Sequence, residues 1–100
     1  MKVNVQTPNF RADRKLIDFI LQKLLKLELF YNRIIFADVF LKLQKSKEKQ
    51  NKIVEVLLSI PGDKLIVKKE SKTFEEGMDE CLKVLERQLK KRNQKHRLFI

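Results

Sequence analysis

The sequence predicts an α+β domain in the order β-α-β-β-β-α, a four-stranded mixed sheet with two helices packed on one of its faces. Three observations carry this. Four segments alternate apolar and polar residues, which is the period of a half-buried strand. Two others repeat apolar residues at spacings of three and four, which gives an amphipathic helix its single buried stripe. The chain has 100 residues and 43% hydrophobic content, enough for one modest core and not for two.

Lys2 to Gln6 alternates Val3 and Val5 with Asn4 and Gln6 and opens the chain as a strand, which Thr7-Pro8-Asn9 ends. Asp13 can cap the helix that follows, because its carboxylate accepts free amides of the first turn, with Ala12 and Ile17 as a hydrophobic staple. That helix is expected over residues 14–28. It buries Leu16, Phe19, Ile20, Leu24 and Leu27, with Lys15, Asp18, Gln22 and Lys26 opposite and Lys23 at the margin of the stripe. From Arg33 the period becomes two, with Ile35, Ala37, Val39, Leu41 and Leu43 inward and Phe36, Asp38, Phe40 and Lys42 outward. Residues 45–51 are polar and charged enough for a hairpin loop.

A third strand over 53–60 turns Val54, Val56, Leu58 and Ile60 inward and Glu55 and Ser59 outward. Pro61-Gly62-Asp63 is a turn, since proline presets one dihedral and glycine accepts a positive one. A fourth strand over about 64–70 completes an antiparallel meander. Thr73 and Glu76 have the spacing of a capping box for a last helix, which buries Met78, Leu82, Leu85 and Leu89 with Cys81 beside them. A helix between the first two strands allows them to pair in parallel by a crossover. Residues 1–95 are read as one domain and 96–100 as a flexible tail.

Charge is the strongest compositional signal. Lys and Arg number 23 against 13 Asp and Glu, a formal net charge of +10, which suits a polyanionic partner such as nucleic acid or an anionic membrane surface. In the last helix the charge is polarised: residues 73–82 carry four acids and no bases, 83–97 seven bases and one acid. The helix dipole accounts for one or two charges at each end, not seven.

The usual catalytic parts are scarce, with one Cys, one His and two Gly in the chain. Cys81 lacks a partner at metal or disulfide spacing and reads as a reduced core side chain. There is no glycine-rich phosphate loop, zinc spacing or serine elbow, and His96 has no evident nucleophile beside it. The expectation is therefore no catalytic residue, no metal, no cofactor and no small-molecule substrate. Seven charged residues interrupt the apolar stretch 16–43, so nothing spans a bilayer, and the N-terminus lacks the apolar run of a signal peptide. A cytoplasmic location is expected.

With both stripes facing the sheet, Lys23 and Lys26 from the first helix and Lys83, Arg87, Lys90, Lys91 and Lys95 from the second would point outward. If the helices are neighbours, these seven merge into one RNA-binding surface that neutralises several phosphates at once, with steep salt dependence. The bland alternative is a solvated lysine-rich face, but clustering on one element favours binding. A second candidate is the outer sheet face, where Phe36 and Phe40 among Lys42, Lys64 and Lys68 could stack unpaired bases. It lacks the aromatic-rich motif of sheet-based RNA readers.

The order of elements, with LQKLLKLELFYNRI closing the first helix and CLKVLERQLKK in the last, resembles the ribosome hibernation-promoting factors, also called the ribosome-associated inhibitor or sigma-54 modulation protein family. The resemblance spans essentially the whole chain. It implies the same fold and a non-enzymatic protein that binds the small ribosomal subunit and its rRNA in the channel used by mRNA and by A- and P-site tRNA. Such a protein inhibits translation and promotes ribosome hibernation in starvation or stationary phase. In that family basic residues of both helices contact rRNA. Lys23 and Lys26 match two such positions, Arg87 and Lys91 match two more, and Lys90 adds a cation.

Departures from the pattern include Leu29, where some relatives carry lysine, and Glu75, where an aromatic is common. Lys83 also lies one place before a lysine common in the family, and Val84 takes that place. The chain stops short of the dimerising domain of long members and lacks an acidic tail. It is therefore most similar to the short form, which works alongside a second hibernation factor. Two other readings stay open: a general RNA-binding module using the sheet face, and a protein-interaction domain that modulates transcription.

Overall fold

The computed structural model describes residues 1–44 and 51–98, with only the backbone beyond Arg92. Its elements are β1 (Lys2–Gln6), α1 (Arg14–Phe30), β2 (Phe36–Leu43), β3 (Lys52–Ile60), β4 (Asp63–Ser71) and α2 (Phe74–Leu98). The strands lie side by side in the order β1-β2-β3-β4. β1 pairs in parallel with β2, so a crossover is needed, and α1 supplies it. The remaining pairs are antiparallel.

Local chemistry sets the element ends. Asp13 Oδ1 accepts from the amide of Leu16 at 2.8 Å, and Thr73 Oγ1 accepts from that of Glu76 at 3.1 Å, so both helices begin on a capping side chain. Gly62 takes φ +78° between the paired residues Ile60 and Asp63, a value that L side chains rarely adopt. Asn9 acts as a short strand extension: its Nδ2 donates to the Leu43 carbonyl at 2.7 Å, and the Leu43 amide donates to its Oδ1 at 3.0 Å.

Registry builds the core. Val5, Val39, Val56 and Val67 form one row across all four strands, and Val3, Ala37, Leu58 and Leu65 form the next, all on one face. Onto that face pack Leu16, Ile20, Leu24 and Leu27 from α1, and Met78, Cys81, Leu82, Leu85 and Leu89 from α2. The two helices also touch each other. Phe10 stacks on Phe74 with ring centroids 4.8 Å apart, tying the β1–α1 loop to the start of α2. Further along, Arg92 Nη1 meets Asp63 Oδ2 at 2.6 Å and fastens α2 to the β3–β4 turn.

Several expectations need correction. Ile35 does not face the core; it lies just before β2 and is 55% exposed, because Ile34 fills the core in its place and turns the next side chain outward. Ser59 is on the outer face as expected, yet it is buried, opposite Phe36 and with its carbonyl accepting from Ile35 N at 2.7 Å. The first helix runs two residues past its expected end to Phe30, since nothing from Glu28 to Phe30 breaks it. Its outer surface is not purely polar: Leu25 and Leu29 are exposed there. Phe19 is only half-buried. The last helix continues to Leu98, beyond the start of the expected tail, through a stretch of good helix formers with no glycine or proline. Residues 45–50 of the expected hairpin loop, and residues 99 and 100 of the expected tail, lie outside the described residues.

Two features generate tests. A Cβ on Gly77, inside α2, would sit 2.8 Å from Cγ2 of the buried, β-branched Val54. Gly77→Ala would gain about 1 kcal/mol of helix propensity but is expected to lose more, about 1–3 kcal/mol, to overpacking. Thermal melts should therefore show a lower midpoint, and Gly77→Ala with Val54→Ala should be more stable than the two single losses add to. The Cys81 thiol is enclosed, with Sγ 3.6 Å from the Val54 carbonyl, and burial pushes its pKa from 9.0 up to about 11 despite the opposing charge of Lys69. Its contribution to stability is full below pH 9 and is lost as pH rises through about 11. A thiol reagent at pH 8 should modify Cys81 only as fast as the protein opens, and at the unfolded rate in denaturant.

Candidate nucleic-acid interface

Because both helices sit on one sheet face in contact with each other, their outward faces are continuous. Three shallow grooves run along them. One of about 350 Å³ lies between the helices, lined by Lys23, Lys26 and Lys83 with Asp79, Leu82 and Glu86. Next to it, a groove of about 560 Å³ is lined by Phe30, Lys83, Glu86, Arg87 and Lys90. Beyond Arg87, about 230 Å³ is enclosed by Val84, Arg87, Gln88 and Lys91. Lys83 and Glu86 are shared by the first two grooves and Arg87 by the last two, so the six cations form one band rather than two patches.

The members of the band are not equally free. Lys26, Lys83, Arg87, Lys90 and Lys91 are exposed. Lys23 is half-buried: its Nζ lies 3.2 Å from Asp79 Oδ1 and 5.3 Å from the centre of the Phe19 ring. An opposite charge and a cation–π contact hold it in the interhelical gap. Lys91 lines only the third groove, where Arg87 is the other cation beside Val84 and Gln88. Lys95 is on α2, and its side chain lies outside the described residues.

Three participants escaped the reading of the sequence. Asp79 and Glu86 set carboxylates inside the band, and their spacing of four from Lys83 and Lys90 was the available signal. Phe30 is 49% exposed and lines the largest of the three grooves. Phe30 lies two residues past the helix end expected at residue 28, so the helical period assigns it no face.

The outer sheet face is built differently. Phe36 and Phe40 are half-buried. In the strand register Glu55 stands between Phe40 and Lys68, so a carboxylate separates ring from cation along that row. Among the described residues, no group of three His, Cys, Asp or Glu side chains could hold a metal ion, and no helix is long and apolar enough to cross a membrane.

A family model described as Sigma 54 modulation protein / S30EA ribosomal protein matches residues 3–97. Two ribosome hibernation promoting factors from Pseudomonas putida are each 30% identical over 100 residues, covering 100% of this chain and 94% of theirs. The fold is similar to that of a ribosomal subunit interface protein from Coxiella burnetii, with TM-score 0.82 at 20% identity over 94% of this chain and 99% of that one. It is similar also to the Protein Y N-terminal domain of Thermus thermophilus, with TM-score 0.76 at 22% identity over 91% and 98%.

The acids inside the band make its charge adjustable. Asp79→Asn releases Lys23 from its ion pair, which is half-exposed and costs at most about 1 kcal/mol to lose. On an anionic column this variant and Glu86→Gln should elute at higher salt than the wild-type protein, with melting temperatures nearly unchanged. Earlier elution would show that these carboxylates do not face the polyanion.

Proposed function

We infer the function from one premise: the chain belongs to the Sigma 54 modulation protein / S30EA ribosomal protein family. It is a non-enzymatic ribosome hibernation factor. Its partner is the small ribosomal subunit, which it occupies at the channel for mRNA and tRNA, so that translation is inhibited by exclusion during starvation or stationary phase. A second hibernation factor acts with it, and its place is the cytoplasm.

The observation that supports this reading is the band of cations across α1 and α2. Structured rRNA presents phosphates at high density, and a band that neutralises several of them gains affinity by counterion release. Lys26, Lys83, Arg87, Lys90 and Lys91 bear on phosphates directly. Lys23 becomes available when rRNA competes with Asp79, and Lys95 extends the contact along α2. Stacking on the outer sheet face is the weaker reading, because Glu55 interrupts that surface.

Sedimentation through sucrose at low salt tests the partner: the protein should travel with small subunits and stay at the top of the gradient without them. Charge reversal at Arg87 and Lys91, both exposed, should leave the melting temperature unchanged and weaken subunit binding. The slope of log affinity against log salt should fall by about one for each phosphate that the reversed side chains no longer neutralise. Equal binding by the reversed protein would move the site off α2. Phe36→Ala with Phe40→Ala should bind subunits nearly as the wild type does, whereas a sheet-face reader would lose binding.

A further inference from the structure

The groove over Phe30 differs from its neighbours in containing an aromatic ring. Phe30 is the last residue of α1, three beyond the buried Leu27, and the next residue, Tyr31, is itself buried and donates its amide to the Leu27 carbonyl at 2.9 Å. The helix end is therefore anchored on both sides of Phe30. Its ring is left 49% exposed, facing α2 in a groove of about 560 Å³. That volume lies within the range of small-ligand pockets, roughly 300–1,000 Å³. A half-exposed aromatic on its own is ordinary. This one is ringed by Lys83, Arg87 and Lys90, with a single carboxylate, Glu86.

An apolar flat surface enclosed by cations is complementary to a group that is flat and apolar at one end and anionic at the other. We propose that Phe30 is the floor of a nucleotide subsite, on which one unpaired base of RNA stacks while Lys83, Arg87 and Lys90 hold the flanking phosphates. Glu86 repels phosphate from its corner of the groove and so leaves one orientation for the backbone. This rests on the reading of the band as an rRNA-binding surface and gives it a contact that charge alone does not supply, since phosphate contacts position a polyanion while stacking requires an exposed base. The grooves on either side have cations and no aromatic, so they bind backbone only.

The chain contains no tryptophan, so Phe30→Trp introduces a single fluorophore at the subsite. Its emission should be quenched by a single-stranded RNA hexamer and by isolated small subunits, and should be unaffected by inorganic polyphosphate at concentrations that bind. Phe30→Leu keeps an apolar side chain but offers no ring. It should fold normally and bind the hexamer about tenfold more weakly, the usual loss of one base–aromatic stack. If the hexamer binds without quenching, or polyphosphate quenches equally, the subsite is wrong. Normal sedimentation of the variant with small subunits would then leave the proposed function intact. If the hexamer quenches but neither wild type nor variant sediments with small subunits, the subsite stands and the ribosomal reading falls.

Discussion

One apolar face of one four-stranded sheet has to cover two helix stripes, and the rest of the molecule follows from that requirement. Strands spaced about 4.8 Å apart put the outer two roughly 14 Å from each other, and helices pack at interaxial distances of about 8–10 Å. Two helices fit across such a sheet and a third does not. They must lie side by side, with their solvent faces adjoining. The rows Val5–Val39–Val56–Val67 and Val3–Ala37–Leu58–Leu65 supply the platform, and burial of Ile20, Leu24, Met78, Leu85 and Leu89 holds the helices on it. Because the parallel β1–β2 pair needs α1 as its crossover, α1 is committed to the same layer as α2.

Electrostatics then acts within that geometry rather than creating it. Six cations on adjoining faces repel one another, and Asp79 and Glu86 relieve part of the repulsion at the seam. The Lys23–Asp79 pair is half-exposed, so its worth to the fold is small. Its consequence is for the band, where it keeps one of the six cations paired in the interhelical gap. α2 separates its charges along its length. The acidic first turn, with Glu75 and Glu76, sits at the positive end of the helix dipole, where it is favourable and lies away from the basic band.

The outer sheet face shows why residue types alone do not make a site. Phe36, Phe40, Lys64 and Lys68 are the ingredients of a base-stacking platform, but register interleaves them with Ser59 and Glu55. On the helix side the same ingredients, Phe30 with Lys83, Arg87 and Lys90, line one groove together, and its single carboxylate, Glu86, stands among three cations. What separates the two surfaces is order in space, which residue counts do not record.

The sequence by itself determined the six elements, their order, both helix caps and nearly the whole core, because periods of two and of three to four are local properties that each segment carries alone. It also pointed to the six cations that line the grooves across the two helices, since spacing places a side chain on one side of its own helix. Only the tertiary structure decided that Lys23 pairs with Asp79, that Arg87 is the other cation in the groove of Lys91, and that Phe30 lines a groove with Lys83 and Arg87. Ile35 failed for a related reason: the inward–outward alternation holds from Ala37 onward but breaks just before β2, where Ile34 fills the core and Ile35 faces out although its backbone already bonds Lys2 and Ser59. Each of these depends on how α1 lies against α2 and β2, segments far apart in the chain whose relative placement is set by sheet order and packing, and no local period encodes that.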